Sequence, residues 1–462
     1  MMKKSLFIVL MIFSVLTNVV GQEDNQAFFI KDIYNHTLQN GACDGWLSYL
    51  SNNIGGRLSG SENAATAVDY TLRELQNIQI VDTAWKQPCM VPRWVRGDRE
   101  EVIITHNQVN YNVNALSLGN SVGTNGIALS ADVIEVHSLD TLQTLGEYNI
   151  KGKIVFFNRP MSNKHINTGY AYGEAVDQRV HGASQASKYG AVAVLVRSIT
   201  TQLDDLPHTG VQVYADGVEP IPALAISTND AEKLSDWLQS ETVKVSIKNN
   251  PQLLPQVESH NVIAEIKGSE FPDEIILVGG HLDSWDVGGG AHDDGAGCVH
   301  AMQVIETLDA MGYTPKRTIR CVLFMNEENG LGGGLEYARV SNEKGEYHLA
   351  AIESDSGGFT PRGFTCTADA EVFKPFLSKL QELDLFLDPY DLYLKAGGGG
   401  ADIGPLKSQK GLLIGFKPDN QRYFDFHHTS ADIFENVNVR ELRLGAAAIT
   451  SLVYLIDQYG LR

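Results

Sequence analysis

Along the chain the hydrophobic positions change rhythm several times. From Asn25 to about Ile80 apolar residues recur at helical spacing, as in Ala65, Val68, Leu72 and Leu75, with Ser61 placed to cap them, and two or three helices are predicted. Between Val81 and about Asn114 this gives way to short β-rich runs such as Glu101 to Thr105. From about Leu116 to Asn250 strand-like runs stand between Gly, Pro and Asn residues: Ile127 to Val136, Lys153 to Asn158, Ala191 to Val196 and Ile221 to Ser227. A helical stretch with small residues, Gly182 to Lys188, precedes the third of these. So many short strands in succession predict a compact β-rich insert distinct from the surrounding fold.

After Pro255 the rhythm is strand, Gly-rich loop, helix. Glu274 to Val278 leads into the loop Gly279 to Gly297 and a helix ending near Met311. Arg317 to Met325, Leu349 to Ser354 and Gly411 to Phe416 read as further strands, and Val372 to Leu383 and Leu442 to Tyr459 as helices. This alternation predicts a three-layer α/β/α arrangement around a mostly parallel sheet, with the ligand site beyond the carboxyl ends of the strands.

Composition narrows the class. The 462 residues are 43% hydrophobic and 20% charged, as in an ordinary globular protein of two or three domains. A formal charge of -20 repels polyphosphate and anionic bilayers, which argues against a nucleic-acid or membrane-surface partner. Lys3 and Lys4, the apolar run Leu6 to Leu16 and the small Gly21 before Gln22 read as a signal peptide over 1–21, with a retained N-terminal anchor as the rival, because the run is shorter than the roughly 20 residues that span a bilayer and no stop-transfer pattern follows. The five cysteines have no CxxC spacing and predict neither a zinc ribbon nor a disulfide framework; Cys298 and Cys321 read as buried thiols.

Chemistry-bearing residues gather where the predicted strands end. The first strand runs into Gly280-His281-Leu282-Asp283 and then Ala291-His292-Asp293-Asp294-Gly295; the second ends in Glu327-Glu328, the third in Ser354-Asp355; the loop after the fourth holds His427-His428-Thr429 and Asp432. In a doubly wound sheet these would share one crevice. Two or more imidazoles with several carboxylates and no thiolate form a mixed N/O set suited to Zn²⁺, Mn²⁺ or Co²⁺. Without a cation the carboxylates would raise one another's pKa, and divalent ions would offset that repulsion.

These motifs, with Trp285-Asp286 and the register His428-Thr429-x-x-Asp432, are similar to those of the co-catalytic zinc exopeptidases, a family that includes zinc aminopeptidases and glutamate carboxypeptidases. Further matches outside the site are Gly56-Arg57-Leu58-Ser59-Gly60-Ser61, Val91 to Gly97 and His208-Thr209-Gly210-Val211-Gln212. The resemblance implies two zinc ions bridged by Asp293, with His281 and Asp355 completing one and Glu328 and His428 the other. It puts Glu327 at the general-base position and Asp283 behind His281. His427 falls where some relatives place a tyrosine that polarises the scissile carbonyl. A cis peptide between Asp293 and Asp294 is also implied. The insert, with Tyr189-Gly190-Ala191 and Pro220 to Ala223, resembles a protease-associated domain, which divides the mature chain into a first catalytic part at 22–115, the insert at 116–250 and the main catalytic part at 251–462.

The expected function is that of a secreted or periplasmic dizinc exopeptidase acting on dipeptides or short peptides, with a homodimer left open. The alternatives are a zinc aminopeptidase on longer peptides, an aminoacyl cyclase or other amidase on the same scaffold, and a catalytically silent receptor-like module.

Overall fold

A computed structural model describes residues 25–461; the predicted signal peptide lies outside them. Two eight-stranded sheets organise the chain. In spatial order the first contains Thr83–Val95, Gln252–Ile266, Arg317–Phe324, Phe271–His281, Tyr347–Glu353, Leu412–Pro418, Pro361–Thr367 and Tyr393–Ala396. Its four middle strands are parallel, with antiparallel strands attached on both sides. All four middle strands therefore point their carboxyl ends the same way, which brings the motif-bearing loops together.

Burial on both faces explains why these strands are nearly continuous apolar runs. Ile276 and Val278 pack into the core beneath the helices Ala296–Ala310 and Val439–Tyr459, whereas Leu277 between them faces Tyr337 and Ala338 of the helix Gly332–Lys344. Ser61 caps the helix Glu62–Gln76 as its position predicts, accepting the Ala64 N–H at 3.1 Å. The mixed α/β layering matches the expectation from the pattern. All five cysteines are free and buried.

The second sheet runs Val109–Val113, Glu101–His106, Lys244–Lys248, Leu129–Val136, Ile154–Phe157, Ala193–Arg197, Ala223–Ile226 and Ala115–Ser117. It starts at Glu101, so the boundary expected after residue 115 shifts toward the N-terminus. The β-rich run Glu101 to Thr105 is a strand with Val102 and Ile104 buried, but the run alone could not say which sheet it joins; its partner, Lys244–Lys248, is remote in sequence. The unit is also less purely β than predicted. Ile154–Phe157, Ala193–Arg197 and Ala223–Ile226 are parallel, and the helices Leu139–Ile150, Thr168–Ala175, Asp177–Ser187 and Thr228–Leu238 stand between or beside them.

Two arginines join these pieces to the site. Arg96 binds both Asp286 oxygens at 2.9 and 2.6 Å, the Ser117 carbonyl at 2.6 Å and the Thr209 hydroxyl at 3.4 Å, linking the two sheets. Beside it Leu58, Trp94 and Trp285 form a small cluster, and Gly119 lies so close that a Cβ there would be 1.9 Å from the Trp285 ring. Arg57, with no exposed surface, donates to the carbonyls of Leu282, Gly289 and Gly290 at 2.6, 2.8 and 2.9 Å and so fixes both ends of the loop after His281. Arg57→Met removes these donors at similar volume. Urea unfolding is expected to show a loss of about 3 kcal/mol or more, the scale of stranding several buried acceptors.

Candidate metal centre

The site grows from four parallel strands and one turn. His281 ends the first strand; Glu327 and Glu328 follow Arg317–Phe324, Asp355 follows Tyr347–Glu353, and His427 and His428 follow the short helix Tyr423–Phe426. Asp293 sits on the turn Ala291–Gly295 that opens the helix Ala296–Ala310, and the Asp293–Asp294 peptide is cis, as the resemblance implied.

All these side chains meet at Asp293. Its Oδ1 is 3.3 Å from His281 Nε2, and its Oδ2 is 3.2 Å from His428 Nε2 and 3.6 Å from His427 Nε2. Asp355 approaches the same His281 nitrogen at 3.8 Å, and Glu328 approaches His428 Nε2 at 3.1 Å. Donor atoms of His281, Asp293 and Asp355 lie within 4.8 Å of one another, as do those of Asp293, His427 and His428. The second triad contains His427 where the resemblance puts Glu328, and both stand beside His428; the two imidazoles are stacked with centroids 3.5 Å apart.

The outer nitrogen of each main imidazole faces a carbonyl. His281 Nδ1 meets the Asp283 carbonyl at 2.9 Å, and His428 Nδ1 meets the Thr209 carbonyl, in the second unit, at 3.2 Å. A carbonyl only accepts, so each neutral ring holds its proton on Nδ1 and turns the Nε2 lone pair toward Asp293. The Asp283 carboxylate lies 3.8 Å from the same His281 Nδ1. It also accepts the backbone N–H groups of Asn326, Glu327 and Glu328 at 2.7, 3.0 and 3.4 Å, three amides left free at a strand end. Asp432 holds the other side, accepting from the N–H of His292 at 2.6 Å and of Asp293 at 3.1 Å.

Electrostatics divides the carboxylates. Burial and then the charge of Asp293 raise Glu328 to about 7; burial raises Glu327 well above its usual value, as do Asp355 and Glu328 against the pull of His281. Asp355 is raised as well, by burial first. Asp293 departs from the expected crowding: burial pushes it up, but the nearby imidazoles of His281, His428 and His427 outweigh burial and hold it well below the usual range. His428 in turn rises to about 9, because Glu328 and Asp293 outweigh its burial.

A cavity of about 980 Å³ opens over these groups, within the size range of small-ligand pockets. Sequence reasoning missed several of its residues. Tyr423 is buried, one helical turn before His427, with its phenol raised by burial and by Asp293 and Asp355. Tyr172 and Arg179 arrive from the second unit; Tyr172 packs edge-on to His427 with centroids 5.3 Å apart. Only the spacing of Tyr423 and His427 was visible beforehand.

The family follows from similarity over most of the chain to known proteins. The model for peptidase family M28 matches residues 261–453. Carboxypeptidase Q from Bos taurus is 34% identical over 416 residues, covering 89% of this chain and 84% of that protein. The chain belongs to peptidase family M28. It is a metallo-exopeptidase of that family. The crystal structure of a peptidase M28 precursor from Shewanella amazonensis superposes with a TM-score of 0.88 at 31% identity, covering 94% of this chain and 97% of that one. A zinc aminopeptidase from Bacillus subtilis shares the fold, with a TM-score of 0.64 at 18% identity and coverage of 89% and 94%. Among the described residues no helix is long and apolar enough to cross a membrane.

Asp283→Ala tests the support of the paired glutamates. With three buried amides unpaired and Glu328 released, zinc affinity in a competition titration is expected to fall by about 10 to 100-fold, with the fold retained by circular dichroism.

Proposed function

We propose that this M28 peptidase is an exported dizinc exopeptidase that hydrolyses dipeptides or short peptides. The observation that carries the reading is the buried Asp293 carboxylate, whose two oxygens face different imidazoles and whose Oδ2 has no hydrogen-bond partner. An orphaned carboxylate oxygen between two outward-turned Nε2 lone pairs fits a pair of divalent cations. His281, Asp293 and Asp355 would hold one zinc, and Asp293, Glu328 and His428 the other; Glu328 is preferred to His427 because a charged oxygen ligand offsets more of the cation's charge. Bound zinc would supply Lewis acidity, lowering the pKa of a water and polarising the peptide carbonyl.

Glu327, not itself a ligand, would take the water's proton and deliver it to the leaving amine. Its backbone N–H is fixed on Asp283, which holds the carboxylate at the cavity floor. His427, beside Asp293, and the neutral Tyr423 phenol, next to the His427 ring in the same cavity, would donate toward the carbonyl oxygen as negative charge develops.

Arg179 supports a register in which the substrate's free carboxyl terminus is bound. It is only 4% exposed, lines the cavity, and pairs with no carboxylate among the described residues, and its Nε has no partner. Gly210 makes room for it, since a Cβ there would lie 2.5 Å from the guanidinium carbon. A buried guanidinium whose partner here is the Tyr172 phenol and ring, not a carboxylate, is costly until a carboxylate enters. The second unit, on this reading, is a protease-associated insert that supplies part of the substrate site. Metal analysis with a screen of unblocked, N-blocked and C-blocked dipeptides tests the reading; absence of both stoichiometric zinc binding and dipeptide hydrolysis would refute it.

Two variant sets sharpen it. Glu327→Gln is expected to keep zinc and fold while kcat falls by about 10² to 10⁴, whereas Glu328→Gln loses metal occupancy, with activity partly restored by excess zinc; metal content beside turnover separates them. Arg179→Met is expected to raise KM for unblocked dipeptides about tenfold or more with a smaller change in kcat, and to leave the hydrolysis of C-amidated dipeptides unchanged.

A further inference from the structure

We propose that a clasp between the two units, 166–168 on one side and 420–421 on the other, sets the length of peptide that the cavity accepts; this rests on the exopeptidase reading above. Thr168 Oγ1 donates to the Asn420 carbonyl at 2.7 Å, Asn420 Nδ2 donates to Asn167 Oδ1 at 2.8 Å, and Gln421 Nε2 donates to the Ile166 carbonyl at 2.6 Å. The two halves come from different sheets. One leads into the helix Thr168–Ala175, the other follows the strand Leu412–Pro418.

Each half is braced locally before it meets the other. Asn167 Oδ1 also accepts the Gly169 N–H at 2.8 Å, and Asp419 accepts the Gln421 N–H at 3.1 Å. Clasp residues Ile166, Asn167, Asn420 and Gln421 line the same cavity as Asp293 and Glu327. Behind the clasp Tyr172 stacks on Phe424 with centroids 4.7 Å apart and meets His427 edge-on, which continues the wall down to the imidazole pair. A groove open at both ends lets a long peptide pass through, and a hydrogen-bonded wall across one side does not. Ile166 and Tyr170, 91% and 69% exposed, place apolar surface at the rim of that wall, where a short substrate's side chain can rest.

The clasp residues are separate from the proposed metal ligands and base, so it can be cut or locked without touching the chemistry. Zinc-loaded full-length protein is assayed on alanine peptides of two to five residues with free termini, in three forms: wild type, the cut variant Asn167→Ala with Gln421→Ala, and the locked variant Asn167→Cys with Asn420→Cys. The five native cysteines are buried, so oxidation is directed to the engineered pair. Wild type is expected to lose kcat/KM as the peptide lengthens. In the cut variant the ratio of tetrapeptide to dipeptide kcat/KM rises by about tenfold or more, with dipeptide turnover within about threefold of wild type. In the oxidised locked variant that ratio falls below wild type, and reductant raises it toward that of the cut variant, because both asparagine side chains are gone. A ratio equal in all three forms, or no fall with length in wild type, would overturn the proposal while leaving the exopeptidase reading intact. Failure of zinc-replete wild type to hydrolyse any unblocked dipeptide would instead overturn that reading, and the clasp proposal with it.

Discussion

Asp293 has one oxygen facing His281 and the other facing His428, and most of the surrounding architecture serves to keep it there. Bringing this carboxylate beside Glu327, Glu328 and Asp355 in a buried crevice opposes like charges, so the backbone must be held against that repulsion. A second set of carboxylates provides the hold. Asp283 accepts amides of the Asn326–Glu328 turn, Asp294 those of His281 and Gly297, Asp432 those of His292 and Asp293, and Glu353 those of Ala401 and Ile403. Each ties strand ends or loops that are apart in sequence. The acidic residues around the site thus divide into those that face the cavity and those that fix the chain carrying them.

The second sheet unit is part of this system. Its Thr209 carbonyl orients His428, its Thr209 N–H binds the His428 carbonyl at 3.1 Å, and Arg96 connects Thr209 and Ser117 to Asp286 beside the first strand. His428 has a φ of 64°, a conformation that needs such external support in a residue other than glycine. A shift of the second unit would therefore move an imidazole next to Asp293 together with the cavity wall. His428 and the Arg179 side of the cavity wall are thus held against one backbone segment, 208–212.

The relation between Arg57 and the loop after His281 shows the same economy. A loop rich in glycine can approach Asp293 closely but has little side-chain packing of its own, and three carbonyl contacts from one rigid guanidinium replace that packing. The motif around Arg57 lies more than two hundred residues before the loop, and its chemistry is positional.

Much of this was legible in the residues themselves. The apolar runs of the parallel strands, the Ser61 cap and the histidine and carboxylate motifs at strand ends depend on local period and on side-chain chemistry, which a one-dimensional pattern preserves. The sequence therefore determined the layer order, the end of the sheet that carries the site and the identity of the groups around Asp293. Tertiary structure alone decided the rest: that Glu101–His106 joins the second sheet, that the Asp283 carboxylate also holds the amides of the paired glutamates, that the Thr209 carbonyl reaches His428, and that Tyr172 and Arg179 reach the cavity from the other unit. These depend on strand pairings and on competition among acceptors for particular amides, and such contacts between residues distant along the chain leave no periodic trace in it.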